Sequence, residues 1–265
     1  MPHLGRQIRF SVNPFLPRDT EGFNAYTSKP AGEGVALFLQ LDVELIGPVQ
    51  PQTGFVINVV EIDRAARACA VPVFAEQIRT SWRAGRHIDL DAVVRMLSVA
   101  WQRLDGQFGA ARVDKLALRL NPFRKIAMDE ETPRTVCYGE KFEFAAMHKL
   151  WNDDFSEQQN FEVFGKCANP TGHGHNYIVE VTVQVPADGA GFQAGAFQQT
   201  VETQLIDAID HKNLNADVPE FEKTIPTIEN LAAFAWSRLA GQFTGGTLHS
   251  VTVWESDRTY CTVSA

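Results

Sequence analysis

The feature that most constrains this chain is an internal repeat. WQRLDGQF at Trp101–Phe108 returns as WSRLAGQF at Trp236–Phe243, six identities in eight at a separation of 135 residues, about half of the 265. Self-similarity on that scale points to one supersecondary unit used twice rather than one large core. A second register, shifted by 140, sets Gly32-Glu33-Gly34 and the apolar run from Val35 over Gly172-His173-Gly174 and the run from His175. Two registers separated by one small gap are the expected mark of a duplicated domain. The charged, proline-bearing stretch Asp129–Arg134 is the natural joint, giving units 1–130 and 135–265.

Alternation and helical spacing suggest the content of each unit. Phe142, Phe144, Ala146 and His148 share one face of a strand, and His175, Tyr177, Val179, Val181 and Val183 share a face of another. Phe197, Val201, Leu205 and Ile209 recur at helical intervals, a second helix opens at Pro226-Thr227 and closes before Gly241, and strands follow at 250–256 and 259–263. The first half repeats the plan more loosely, with strands at 35–45 and 114–120 and a helix at 91–104. The fold class is therefore α+β, with helices covering one face of an antiparallel sheet.

The net charge of −8 and scattered lysines and arginines exclude a phosphate-backbone footprint, so nucleic acid is not an expected partner. No apolar run exceeds six residues, which argues against a membrane span, and the start MPHLGRQIRF lacks the apolar region of a secretory signal. Four cysteines with no C-x-x-C pair fit a reducing compartment, and a cytoplasmic location is expected.

The chemistry gathers in the second half. His173 and His175, at i and i+2 on a strand, point the same way, and His148 ends a neighbouring apolar-faced strand. Three imidazoles of this kind read either as a metal site with an open fourth position or as surface or hydrogen-bonded core histidines. Cys167, in a loop rich in glycine and proline, reads as a small buried hydrophobe, as a fourth ligand, or as a thiolate that moves protons or attacks carbon. Asp210-His211 follows a helix end, where a carboxylate beside an imidazole can fix the ring. Glu255 shares a strand face with Val251 and Val253, and a carboxylate there needs a partner, a job or an escape to solvent.

Taken together, FEFAAMH, C-x5-HGHNY at Cys167–Tyr177, DHKNLN at Asp210–Asn215, PTIENLA at Pro226–Ala232 and WES at Trp254–Ser256 resemble the 6-pyruvoyltetrahydropterin synthase family, which includes the 6-carboxytetrahydropterin synthases of queuosine biosynthesis. The resemblance runs over roughly residues 137–263. It implies Zn2+ held by His148, His173 and His175, with Cys167, Asp210 and His211 as the proton-moving catalytic set. It also implies that Glu255 grips the guanidine-like edge of a pterin, with Thr227 and Glu229 in the segment lining that pocket. The implied substrate is 7,8-dihydroneopterin triphosphate. The five-residue gap between Cys167 and His173 resembles the pyruvoyl type rather than the carboxy type. A non-catalytic zinc and pterin scaffold is the reading of a different class.

The first half departs from the motif. Glu33 and Val35 stand where His173 and His175 do, and Leu120 and Ala92 stand for Glu255 and Thr227. It resembles an inactive copy. The resemblance implies a tunnelling fold (T-fold), in which units close a barrel by oligomerisation; two units per chain then predict a homo-oligomer, a trimer or alternatively a dimer.

Overall fold

A computed structural model describes residues 1–17, 35–132, 135–187 and 191–265. The Gly32–Gly34 segment of the shifted register, with Glu33, and residues 133–134 of the joint lie outside the described residues. The chain divides into two compact units, one of Met1–Tyr138 with Pro186–Ala190 and one of Gly139–Val185 with Gly191–Ala265.

The first unit contains β1 (His3–Val12), β2 (Leu37–Ile46), α1 (Val59–Ala65), α2 (Val71–Arg83), α3 (Leu90–Leu104), β3 (Arg112–Arg119) and β4 (Arg124–Asp129). Its strands are antiparallel in the order β1-β2-β3-β4. Strand β2 alternates as its sequence demands, burying Leu39, Leu41, Val43 and Leu45. In α3 the buried Val93, Leu97, Ala100 and Leu104 form one stripe, and the Asp89 side chain accepts the Ala92 N–H at its start. A single π-helical turn, Ala66–Ala70, joins α1 to α2. Between β2 and β3 the register slips at Glu44/Leu45, leaving Asp114 as the extra residue of a bulge.

The second unit contains β5 (Thr135–His148, which begins at the division), α4 (Glu157–Phe164), β6 (His173–Pro186), α5 (Ala194–Val201), α6 (Asp207–Ile209), β7 (Lys212–Asn213), α7 (Leu214–Asp217), α8 (Ile228–Leu239), β8 (Thr247–Ser256) and β9 (Thr259–Ser264). Its sheet order is β5-β6-β8-β9, with β7 added in parallel to β5. β6–β8 and β8–β9 are antiparallel. A π-helical turn, Glu202–Ile206, again interrupts the long helix, and the β6–β8 register slips at Thr182/Val183, leaving His249 extra. That slip changes the buried parity of β8 from Leu248 to Val251 and Val253.

The α+β class and the sheet-with-helices plan stand. Sequence reading missed β1, α1, α2, β4, α4, β7 and α7. It also placed Cys167 in a loop free of helix, whereas α4 runs directly into a 3-10 turn, Gly165–Ala168, that carries it. The signal was present: Ser156-x-x-Gln159 forms a reciprocal capping box at the start of α4. Gly165, with φ 55°, ends the helix and admits the turn.

Candidate functional site

Strand β5 delivers His148 at its last position, and β6 delivers His173 and His175 at its first and third. What brings them together is the Asn169–Gly172 turn. The Gly172 N–H donates to the Asn169 carbonyl at 2.8 Å, and Asn169 Oδ1 accepts from the Thr171 N–H and hydroxyl. Gly172 sits at φ 68°, and a Cβ there would lie 2.8 Å from the His148 carbonyl oxygen. Only glycine allows this approach, so the residue before His173 presses against the backbone of His148.

The three imidazoles form a compact triangle with ring centroids 4.7, 5.1 and 4.6 Å apart. His148 is buried, and its Nδ1 donates to the Pro226 carbonyl at 2.8 Å. A carbonyl can only accept, so that bond fixes the proton on Nδ1 and leaves Nε2 with a free lone pair. That Nε2 lies 3.2 Å from His173 Nε2. His173 Nδ1 and His175 Nε2 are buried without a hydrogen-bond partner; Glu255 Oε1 is 3.3 Å from the latter but off the hydrogen-bonding direction. Orphaned buried nitrogens are costly, by about 1–3 kcal/mol each. A cation between His148 Nε2, His173 Nε2 and His175 Nε2 removes that cost at His175, whereas His173 Nδ1, on the far side of its ring, needs a different partner. Three nitrogens bound tetrahedrally at about 2.0–2.1 Å would stand about 3.3 Å apart, close to the spacing observed between His148 and His173. The residues present therefore fit a small divalent metal ion, with His148, His173 and His175 as ligands and one position open.

Another group with metal-ligand chemistry, His3, Glu44 and Asp114, lies on β1, β2 and β3. It differs in kind. His3 Nδ1 already has both carboxylates at 3.0 Å, and the group is open to solvent, so it reads as an ion pair.

Around the triangle, Tyr177 is buried with its hydroxyl 3.5 Å from His148 Nδ1 and its ring stacked on Phe144. Burial, and then the charges of Glu255 and Cys167, push its phenol well above the ordinary value. Glu255 Oε1 is 3.5 Å from His148 Nε2, so this carboxylate faces the imidazoles rather than escaping to solvent. Burial lowers the pKa of both His148 and His175, keeping them neutral as metal ligands must be. Cys167 is half-buried and outside the three-nitrogen group; its thiol is pushed up by burial and then by Glu255. Its carbonyl accepts from Leu150 N–H at 2.9 Å, tying the 3-10 turn to the chain just beyond His148.

Asp210 and His211 lie alongside β5. Asp210 Oδ1 accepts from Ala145 N–H at 2.9 Å and Oδ2 from His211 Nδ1 at 2.9 Å. The Ala145 bond chiefly, with the imidazole second among the favourable contacts, holds the carboxyl below its ordinary pKa. His211 itself has φ 55° and a solvent-facing ring. Among the described residues neither member of the pair bonds to Cys167 or to the imidazole triangle. Thr227 caps α8, accepting from Asn230 N–H. Glu229 is exposed in the first turn of α8, where its charge helps raise the Cys261 thiol after burial.

Three supporting residues escaped sequence reading. The Pro226 carbonyl orients His148, and no residue-type signal reveals the direction of a carbonyl. Asn160 is fully buried and bonds the backbone of Asn152, Phe155 and Ser156, holding the approach to α4. Asn215 clamps both backbone groups of Lys149, the residue after His148, at 2.7 and 2.9 Å.

The second unit is thus an α+β module with a three-histidine cluster that could hold a metal ion, and it also carries a half-buried thiol and a carboxylate–imidazole pair. The family model of 6-pyruvoyl tetrahydropterin synthase matches residues 138–265. The 6-pyruvoyl tetrahydrobiopterin synthase of Homo sapiens is 39% identical over 120 residues, covering 44% of this chain and 83% of that protein. The synthase of Drosophila melanogaster is 43% identical over 99 residues, covering 36% of this chain and 59% of that protein. Among solved structures, the 6-pyruvoyl tetrahydropterin synthase of Caenorhabditis elegans aligns at 30% identity with a TM-score of 0.46, over 49% of this chain and 96% of that one. The chain belongs to the 6-pyruvoyl tetrahydropterin synthase family through its second half. No helix among the described residues is long and apolar enough to cross a membrane.

Proposed function

We propose that this chain is a zinc-dependent lyase that converts 7,8-dihydroneopterin triphosphate to 6-pyruvoyltetrahydropterin with release of triphosphate, and that the second unit carries the chemistry. The observation that carries this reading is the compact triangle of imidazoles, with His175 Nε2 buried and unpartnered, in the half that matches the family. Bound zinc would act there as a Lewis acid that lowers the pKa of the substrate's side-chain hydroxyls. Asp210 holds the proton of His211 on Nδ1, so Nε2 is free to accept a proton from the side chain. Cys167, a thiol held protonated by its surroundings, serves as the complementary donor. Glu255 accepts two hydrogen bonds from the amino and imino edge of the pterin. The reaction needs no external oxidant, because the ring is reduced by the two electrons that the side chain loses.

Incubation with 7,8-dihydroneopterin triphosphate and mass analysis of the products tests this. The 6-pyruvoyl compound and triphosphate are expected. The 6-carboxy compound with acetaldehyde would move the chain to the queuosine type, and no product at all would support the scaffold reading.

The first unit is proposed to be a degenerate copy of the second. Both have a π turn in the long helix, starting at Ala66 and Glu202, 136 residues apart. Both bulge in the third strand, at Asp114 and His249, 135 apart. The β2 and β6 slips lie 138 apart, which sets Val35 and Leu37, rather than Glu33 and Val35, at the histidine positions. The helix caps Asp89 and Thr227 are also 138 apart, so Asp89, not Ala92, corresponds to Thr227. Two such units per chain suit closure of a barrel by a homo-oligomer, a trimer in preference to a dimer, since among the described residues β1 in the first unit and β9 in the second each have one unpaired edge. Light scattering distinguishes trimer, dimer and monomer; an active monomer would refute the assembly.

A further inference from the structure

Beside the imidazole triangle lies an open groove with a volume near 510 Å3, lined by β5, by the start of β6, which includes His175, and by the segment from His211 to Asp217. His211 and Lys212 both contribute to the lining. His211 adopts a left-handed backbone, with φ 55°. The strain is held in place from both sides, by the His211 N–H donating to the Ala145 carbonyl and by the parallel pairing of Lys212 with Ala146.

This arrangement presents one cation without a counter-charge. Lys212 is exposed and has no carboxylate at ion-pair distance among the described residues. The carboxylate in the lining, Asp217, accepts the Asn213 N–H through Oδ2 at 2.8 Å. Two other lysines of this unit are engaged elsewhere: the ammonium of Lys149 lies 3.8 Å from the Trp151 ring centroid, and that of Lys141 lies 4.9 Å from that of Trp254. The chain as a whole is at −8, so its overall field repels a polyanion and local cations must supply the attraction.

We propose that Lys212 is a specificity-determining residue that anchors the triphosphate end of the ligand in this groove; the inference rests on the pterin triphosphate reading above. His175, which belongs to the imidazole triangle and has Glu255 Oε1 3.3 Å from its Nε2, and Lys212 both line the groove. A ligand with a pterin ring at Glu255 and a charged tail thus meets opposite demands at its two ends.

The test compares binding of 7,8-dihydroneopterin triphosphate and unphosphorylated 7,8-dihydroneopterin to the zinc-loaded full chain, in a Cys167→Ala background that prevents turnover. Lys212→Gln is expected to lower the preference for the triphosphate by about tenfold, the scale of one charge-assisted contact. Affinity for the unphosphorylated compound should stay the same, Lys212→Arg should retain most of the preference, and the salt dependence should flatten in Lys212→Gln. With Cys167 intact, the loss should fall on KM rather than kcat. Binding of the magnesium complex of inorganic tripolyphosphate provides an arm that needs no pterin. If neither pterin binds but tripolyphosphate binding still depends on Lys212, the anion site stands and the pterin reading falls. If substrate is turned over and Lys212→Gln leaves the triphosphate preference intact, the pterin reading stands and the anchor falls. No tripolyphosphate binding together with no preference for the triphosphate also overturns the proposal.

Discussion

Gly172→Ala perturbs the candidate metal site without touching a proposed ligand. The added methyl carbon would lie 2.8 Å from the His148 carbonyl oxygen, about 0.5 Å inside ordinary carbon–oxygen contact. Neither partner is a flexible side-chain tip, so the backbone of Gly172–His173 must move relative to His148. The backbone at φ 68° adds a penalty for any L residue, about 1–2 kcal/mol. Together they predict a metal-free variant destabilised by about 2–3 kcal/mol, a fall in Tm of several °C for a chain of this size. Liganding geometry tolerates displacement of only about 0.5 Å, so metal affinity should fall by roughly 10–100-fold, as when supporting contacts of a metal site are removed. Zinc affinity, measured by competition with a chromophoric chelator, reads the second effect separately from a thermal melt. Gly174→Ala is the control, because a Cβ there meets its nearest neighbour, the Ala146 carbonyl, at an ordinary 3.7 Å. Equal zinc affinities in Gly172→Ala and the unaltered chain would show that the close approach does not set the ligand geometry.

Cys167→Ala should keep the metal and lose turnover by at least ~100-fold, the usual scale for a general acid or base; zinc leaving with the thiol would make Cys167 a fourth ligand. Glu255→Gln should weaken pterin binding while zinc is retained, as read by ligand titration and elemental analysis, and loss of zinc instead would mean that this carboxylate acts on the metal cluster it faces. Asp210 has a depressed carboxyl pKa, so its contribution to stability is fully present above the ordinary value near 3.9 and is lost as pH falls through the lower folded value. The stability gap between the unaltered chain and Asp210→Asn should therefore be flat at neutral pH and close in acid; a gap independent of pH would mean that the anionic form is not what Ala145 and His211 stabilise.

Strand and helix content was most legible where burial is one-sided. The alternation of β6, from Tyr177 to Val185, and the stripe of α8 come through because one face meets the core and period alone reports it. The three histidines were legible for the same reason, since strand parity carries them onto apolar faces. Strand β1 was passed over because its burial is mixed at its start, and α1–α2 because a π turn breaks the helical phase that a periodic reading follows. The chain's own residues also determine the bulges at Asp114 and His249, yet only pairing with β2 and β6 reveals them, and the register of the proposed repeat depends on them. Tertiary structure alone decided what surrounds the chemistry. The Pro226 carbonyl lies 78 residues from the ring it orients, Asp210 finds its donor in a strand 65 residues earlier, and Glu255 turns out to face the imidazoles. Periodicity reports which side of an element is dry. It carries no information about which distant backbone group a buried polar atom will meet, because that depends on how elements far apart in the chain are brought into register.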